Sequence, residues 1–147
     1  MEDGAYHGSG PLENESYTGD INWIDYTVSA ELTPLLGDHH LILARVQGAM
    51  RSYAFGLSPD NTVTLYKKAR EYRPVYSAAF AWRLGERYRL SIEARANRLI
   101  ATIEGGGQQQ EIAWQDDEAS YLNGQIGLAC WHGSHTAFHG IEVGKER

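Results

Sequence analysis

A single cysteine, Cys130, serves the whole 147-residue chain. No disulfide can close within it, so nothing in its cysteine content demands an oxidising compartment. Methionine and proline are scarce, at two and four residues. No window reaches the roughly 18 apolar residues of a membrane-spanning helix. The opening "MEDGAYHGSG" lacks the basic and apolar regions of a secretory leader. A cytoplasmic location is therefore expected, and a piece cut from a longer chain fits equally well. Positive charge is short too: the formal net charge is −6. A general nucleic-acid binder needs a basic face, and an anionic membrane favours one, so neither is an expected partner.

What the chain does have is glycine (16), tyrosine (9) and alternation. In "WIDYTVSAEL" (23–32), Ile24, Tyr26, Val28, Ala30 and Leu32 share one parity, the two-residue period of a strand with one buried face. "LILARVQ" (41–47) sets Ile42, Ala44 and Val46 against Leu41, Leu43, Arg45 and Gln47. "RSYAFGL" (51–57) and "TVTLYKK" (62–68) flank "SPDN", which has the composition of a tight turn. Pro74 favours an extended chain over the first half of 70–82. "YRLSIEAR" (88–95) alternates most cleanly, and "RLIATIEG" (98–105) returns after Asn97. "GGGQQQ" reads as a flexible hairpin link to "EIAW" (111–114), and 116–124 as a polar loop with room for one helical turn. "QIGLACW" (125–131) and "FHGIEVG" (138–144) close the pattern. No stretch of ten residues holds a 3.6-residue apolar period. About ten short strands imply an all-β sandwich or jelly roll of two antiparallel sheets, over residues 17–147, behind a loosely structured lead-in over 1–16.

The segments "GDINWIDYTVSAEL", "ARVQGAMRSYAFGL", "WRLGERYRLSIEARANRLIATIEG" and "GQIGLACWHGSHTAFHGIEV" resemble, in order, the laminin-G-like, concanavalin A-type jelly-roll domain. They are most similar to the version found C-terminal to ADP-ribosylglycohydrolase-type enzymes, and more distantly to carbohydrate-binding modules. The resemblance covers residues 17–143. It implies a concanavalin A-like fold, an accessory module beside an enzyme domain, and an ADP-ribose-related or other sugar ligand. It also implies that structural calcium is possible. No other cofactor is expected.

The residues themselves leave three classes open. A glycoside hydrolase needs two carboxyl groups about 5–9.5 Å apart. Asp25 and Glu31 share a parity but lie about 20 Å apart along a strand. Glu93 stands among arginines, and Glu13/Glu15 and Asp116/Glu118 sit in apparent loops. A hydrolase would therefore need carboxylates from separate strands. His132, His135 and His139 have the spacing of ligands on a helix but lie in a strand–turn–strand reading, and His39–His40 beside Asp38 read as an exposed loop. Asp20 or Asp116–Asp117–Glu118 offer hard oxygen ligands for calcium. Cys130, between Ala129 and Trp131, reads as an inert packing residue. A second class is a protein-docking module. The third, favoured, is a non-catalytic sugar-binding module. Arg45 and Gln47 would project opposite Ile42, Ala44 and Val46, while Tyr66 would project with Thr62, Thr64 and Lys68. Arg51, Gln47 and Arg45 would donate to hydroxyls, and Tyr66 and Trp82 would stack on sugar faces, with Trp23 and Trp131 as further platforms.

Overall fold

The computed structural model describes residues 6–9 and 14–145. In chain order the strands are β1 (Tyr6–Ser9), β2 (Asn14–Thr18), β3 (Tyr26–Leu36), β4 (His40–Val46), β5 (Arg51–Ser58), β6 (Thr62–Ala69), β7 (Glu71–Ala79), β8 (Tyr88–Arg95), β9 (Arg98–Gly105), β10 (Gln108–Gln115), β11 (Gln125–Cys130) and β12 (His135–Lys145). Two six-stranded sheets stack, in the orders β1-β12-β3-β8-β9-β10 and β2-β11-β4-β5-β6-β7. Every described pairing is antiparallel. The lead-in expected over 1–16 contributes β1 and the first three residues of β2, one strand to each sheet. Residues 116–124 form an irregular loop without a helical turn, and "QQQ" belongs to β10 rather than to a linker.

The alternating strands behave as expected. β8 buries Tyr88, Leu90, Ile92 and Ala94, and β3 buries Tyr26, Val28, Ala30 and Leu32. These meet Ile42, Ala44, Tyr53, Phe55, Leu57, Val63 and Leu65 of the second sheet in one core. Ile24 departs from the expectation. The strand starts at Tyr26, and Ile24 is 60% exposed in the turn before it. The β5–β6 turn has Asp60 and Asn61 both at positive φ, the left-handed conformation these short polar side chains tolerate.

The larger correction is Arg45. It has φ 51°, and the β4–β11 register shifts beside it, so β4 carries a bulge there. The bulge breaks the two-residue period. Val46 joins Leu41 and Leu43 in a second cluster on the outer face, instead of following Ile42 and Ala44 into the core. Arg45 itself is 0% exposed. Its guanidinium donates to the carbonyls of Ile24 (2.9 Å) and Tyr121 (3.0 Å), to the carbonyl of Ala96, and to the Asp25 carboxylate (3.1 Å). Its backbone N–H donates to the Tyr26 hydroxyl (2.6 Å), which in turn donates to the Gly124 carbonyl (3.0 Å). Gly124 has to be glycine: it sits at φ 149°, and a Cβ there would come within 2.4 Å of the Arg45 carbonyl carbon.

Lys67 turns inward at the same end of the sandwich. Its ammonium lies 2.6 Å from the Asp116 carboxylate, which also accepts from the Tyr53 hydroxyl at 2.6 Å. Burial alone would raise the Asp116 carboxyl, but the hydrogen bonds from Lys67 and Tyr53 hold it below its ordinary value. Two cations of the second sheet thus anchor the loops at 23–25, 96 and 116–124.

Replacing Arg45 by Met keeps the aliphatic stem but strips the donors from the Ile24, Ala96 and Tyr121 carbonyls. Arg45→Met is expected to destabilise the fold by about 3–5 kcal/mol, read as a lower urea midpoint. An unchanged midpoint would mean the anchor is dispensable.

Candidate functional site

The outer face of the second sheet is strongly curved, and side-chain contacts show it. β2 and β7 are its two opposite edges, separated by five strand-to-strand steps. A flat sheet would hold them about 24 Å apart. Yet the Tyr72 hydroxyl, on β7, donates to the Glu15 carboxylate, on β2, at 2.7 Å. A tyrosine and a glutamate together reach roughly half of the flat separation. The sheet must therefore curl until its edges face each other across a trough.

The trough is floored by Leu41, Leu43, Val46, Ala54 and Ala129, all buried, under Tyr66, Trp131 and Tyr72. Trp131 and Tyr72 have ring centroids 4.4 Å apart, and Tyr66 meets Trp131 edge-on at 5.0 Å. Polar groups converge beside these rings. The Glu15 carboxylate accepts from the hydroxyls of Tyr17 and Tyr72 and from the Trp131 indole N–H at 3.3 Å. The Lys68 ammonium stands 3.9 Å from it and 4.7 Å from the centre of the Tyr72 ring. Ser52 exchanges a hydrogen bond with the Tyr72 hydroxyl at 2.9 Å. The side chains of Glu15 and Lys68 are only 7% and 9% exposed. Burial, then the charge of Glu15, pushes the Tyr72 phenol well up, so it stays protonated and a donor.

Of the five residues expected to line a groove, only Tyr66 lies in this cluster. Arg45 is wholly inside the protein. Gln47 is half-buried and donates to the Asn123 carbonyl at 2.8 Å. Arg51 is exposed, beside Met50, Ala69 and Arg70 in a shallow depression at the strand ends. Trp82 donates to the Ser58 carbonyl at 3.0 Å and packs edge-on against His40. Trp23 packs against the core beside Tyr26. Trp131, the other platform candidate, is in the trough. Glu15 and Tyr72 were missed. Glu15 sits in a stretch that reads as lead-in, and no spacing links residues 15, 68, 72 and 131.

The outer face of the first sheet is different in kind. A groove of about 560 Å³ is lined there by Glu31, Arg87, Arg89, Glu104, Gln108 and Gln109 among others. Arg87 and Arg89 both approach Glu31, at 3.4 and 3.7 Å, and Arg89 also approaches Glu142 at 3.9 Å. Its one aromatic neighbour, Tyr88, is turned into the core.

The histidines divide among separate tasks. His39, half-buried, pairs with Asp38 at 2.9 Å and meets the exposed His132 ring at 4.7 Å. Burial lowers its basicity against the pull of Asp38. His139 bonds the Thr33 hydroxyl at 2.8 Å. Among the described residues no three His, Cys, Asp or Glu side chains are grouped so as to hold a metal ion. Asp20 accepts from the Asn22 N–H, and Asp116 is engaged by Lys67. Cys130 is buried, which pushes its thiol pKa up.

No family model and no curated protein matches the chain. Solved structures do. A carbohydrate-binding module, CBM66, from Bacillus subtilis superposes with TM-score 0.79 at 16% identity, covering 95% of this chain and 86% of that one. A Lotus tetragonolobus seed lectin gives 0.69 at 10% identity, covering 100% and 90%. A xylan β-1,4-xylosidase from Bacillus halodurans gives 0.62 at 10% identity, covering 97% of this chain and 32% of that one. The fold is a concanavalin A-like jelly roll.

His40 yields a pH prediction. It is fully buried, with Nε2 donating to the Gly37 carbonyl (2.9 Å) and Nδ1 on the Thr136 hydroxyl (2.6 Å). Burial lowers its pKa to about 4. An unfolded chain binds this proton near 6.5, so between 6.5 and 4 the unfolded state takes up more protons. The stability held by neutral His40 is complete above pH 6.5 and is lost as pH falls through that window, by roughly 3 kcal/mol. Urea midpoints measured from pH 7 to 4.5 should fall steeply, and less steeply in His40→Gln. An equal slope in the variant would contradict the assignment.

Proposed function

We propose that this chain is a non-catalytic carbohydrate-binding β-sandwich whose ligand lies on the outer face of its second sheet, and that it serves as an accessory module to a glycan-processing enzyme. The observation that carries the reading is the trough itself, where Tyr66, Tyr72 and Trp131 sit beside the hydrogen-bonding groups of Glu15, Tyr17, Ser52 and Lys68. Sugars present apolar C–H faces and directional hydroxyls, and this combination of ring and polar group suits both. The first-sheet groove has charged and amide groups without an accessible ring. The groups that meet Glu15 are donors, not the paired carboxyl groups that glycoside hydrolysis uses. A carbohydrate-binding module and a lectin among the structural neighbours support the reading. So does a xylosidase in which this fold takes up about a third of the chain.

A glycan array that includes ADP-ribose, followed by calorimetry, tests it. Binding of at least one sugar at millimolar or lower concentration is expected. Tyr72→Ala should weaken it roughly tenfold or more, the effect of removing about 1.4 kcal/mol of contact. Arg89→Ala, on the opposite face, should leave it unchanged. Absence of binding at millimolar concentration would overturn the proposal, as would sensitivity to Arg89 alone.

A further inference from the structure

The histidines that share a spacing in the sequence are regrouped by the fold. His139 turns to the Thr33 hydroxyl, while His132 meets His39 of the β3–β4 loop, with ring centres 4.7 Å apart. His39 is fixed from two sides. Its backbone N–H donates to the Ser134 hydroxyl at 3.1 Å, and its carbonyl accepts the Trp131 N–H at 3.2 Å. Gly37 (φ 82°) permits this approach, since a Cβ there would come within 2.4 Å of the Ser134 Oγ. His132 is held by a tight turn, closed by the Ser134 N–H on the Trp131 carbonyl at 3.1 Å. Both central residues of that turn are left-handed, His132 at φ 55° and Gly133 at φ 78°. Such a conformation is uncommon for a residue with a side chain, and here it delivers an imidazole to His39.

The partners of His39 decide which nitrogen is available. The Asp38 carboxylate lies 2.9 Å from Nδ1, and a carboxylate only accepts, so Nδ1 carries the proton. In the neutral ring Nε2 then presents its lone pair. A carboxylate on one ring nitrogen is the arrangement that orients a metal-bound imidazole. His132 is exposed, so its ring can turn a nitrogen towards the same point. Two imidazoles on one ion, at metal–nitrogen distances of about 2.0–2.1 Å, hold their centres about 4.5 Å apart at a right angle and about 5.2 Å at a tetrahedral one. The observed spacing falls between these limits.

We propose that His39 and His132 form a two-imidazole site for a divalent transition-metal ion, with Asp38 orienting His39. No third His, Cys, Asp or Glu among the described residues joins them, so water fills the remaining positions. Imidazole ligation selects Cu²⁺ ahead of Ni²⁺ and Zn²⁺, and does not suit Ca²⁺ or Mg²⁺, which take oxygen ligands. The site is independent of the sugar ligand, although it borders the trough. The His39 ring tilts over Trp131, with centroids 5.8 Å apart. That neighbour supplies a signal, because Cu²⁺ bound at His39 quenches indole fluorescence.

The test clears the whole chain of metal with a chelator, titrates it with Cu²⁺ under tryptophan fluorescence, and then adds excess Zn²⁺ or Ca²⁺. A saturable quench is expected, reversed by Zn²⁺ and untouched by Ca²⁺. His132→Asn, which suits the left-handed turn, should weaken Cu²⁺ binding roughly tenfold or more, and Asp38→Asn about tenfold. His135→Gln and His139→Gln should leave it unchanged. Near-ultraviolet circular dichroism checks each fold, and His39→Gln repeats the test from the other ligand should His132→Asn fail to fold. No quench in the wild type would overturn the proposal, as would an undiminished quench in His132→Asn or His39→Gln. Equal loss in His135→Gln would also overturn it, as would reversal by Ca²⁺ as complete as that by Zn²⁺.

Discussion

A buried guanidinium organises one end of this sandwich. Arg45 is fully enclosed, yet its donors are occupied by Ile24, Ala96, Tyr121 and Asp25, so the charge lies inside a shell of oxygen. Burying such a group among poorly placed partners would cost several kcal/mol; here it meets carbonyls that no apolar side chain could satisfy. What the arginine supplies is geometry. One planar fork ties the turn before β3, the β8–β9 turn and the loop between β10 and β11 to a single point on β4. Lys67, bonded to Asp116 and to the Glu118 carbonyl, repeats the device for the same loop from β6. A nine-residue connection with no regular structure is thereby held in place by two inward-facing cations.

That constraint also explains why side-chain parity failed where it mattered. β3 and β8 were legible because one face is buried and the other wet, so composition alternates with the pleat. β4, β5 and β6 are buried on both faces, the inner against the first sheet and the outer beneath the trough aromatics. Alternation carries little orientation information in such strands. Arg45 then sits on a bulge, which shifts every residue after it by one. Nothing in "LILARVQ" marks the bulge, because the reason for it lies in the carbonyls of residues 24, 96 and 121. β6 keeps its parity, so Tyr66 lies on the outer side of the sheet, where it is buried in the second cluster. Trp131 was named as a platform, but its partner Glu15 was hidden in a segment that reads as a lead-in. Contacts that join residues 15, 68, 72 and 131 arise only once the sheet has curled.

The curl has its own physical logic. An open six-stranded sheet leaves two edges exposed to pairing with other chains. Pro74 blunts β7, and the Tyr72–Glu15 hydrogen bond draws β2 towards it across the outer face. Curling also makes a second apolar cluster outside the sandwich proper, in which Leu41, Leu43 and Ala54 are as dry as the core residues behind them. The first sheet has no such cover. Its outer residues, Glu31, Arg87, Arg89 and Glu142, neutralise one another in water, where each ion pair is worth at most about 1 kcal/mol.

The two faces therefore differ in how well they can discriminate. Exposed ion pairs on the first sheet lose little when a ligand fails to match them, because water completes whatever the ligand leaves open. Buried donors on the second sheet have no such recourse. A group that left the Trp131 indole without an acceptor would forfeit the full desolvation cost of that donor. At a binding face of that kind, selectivity would come from that penalty rather than from the number of contacts.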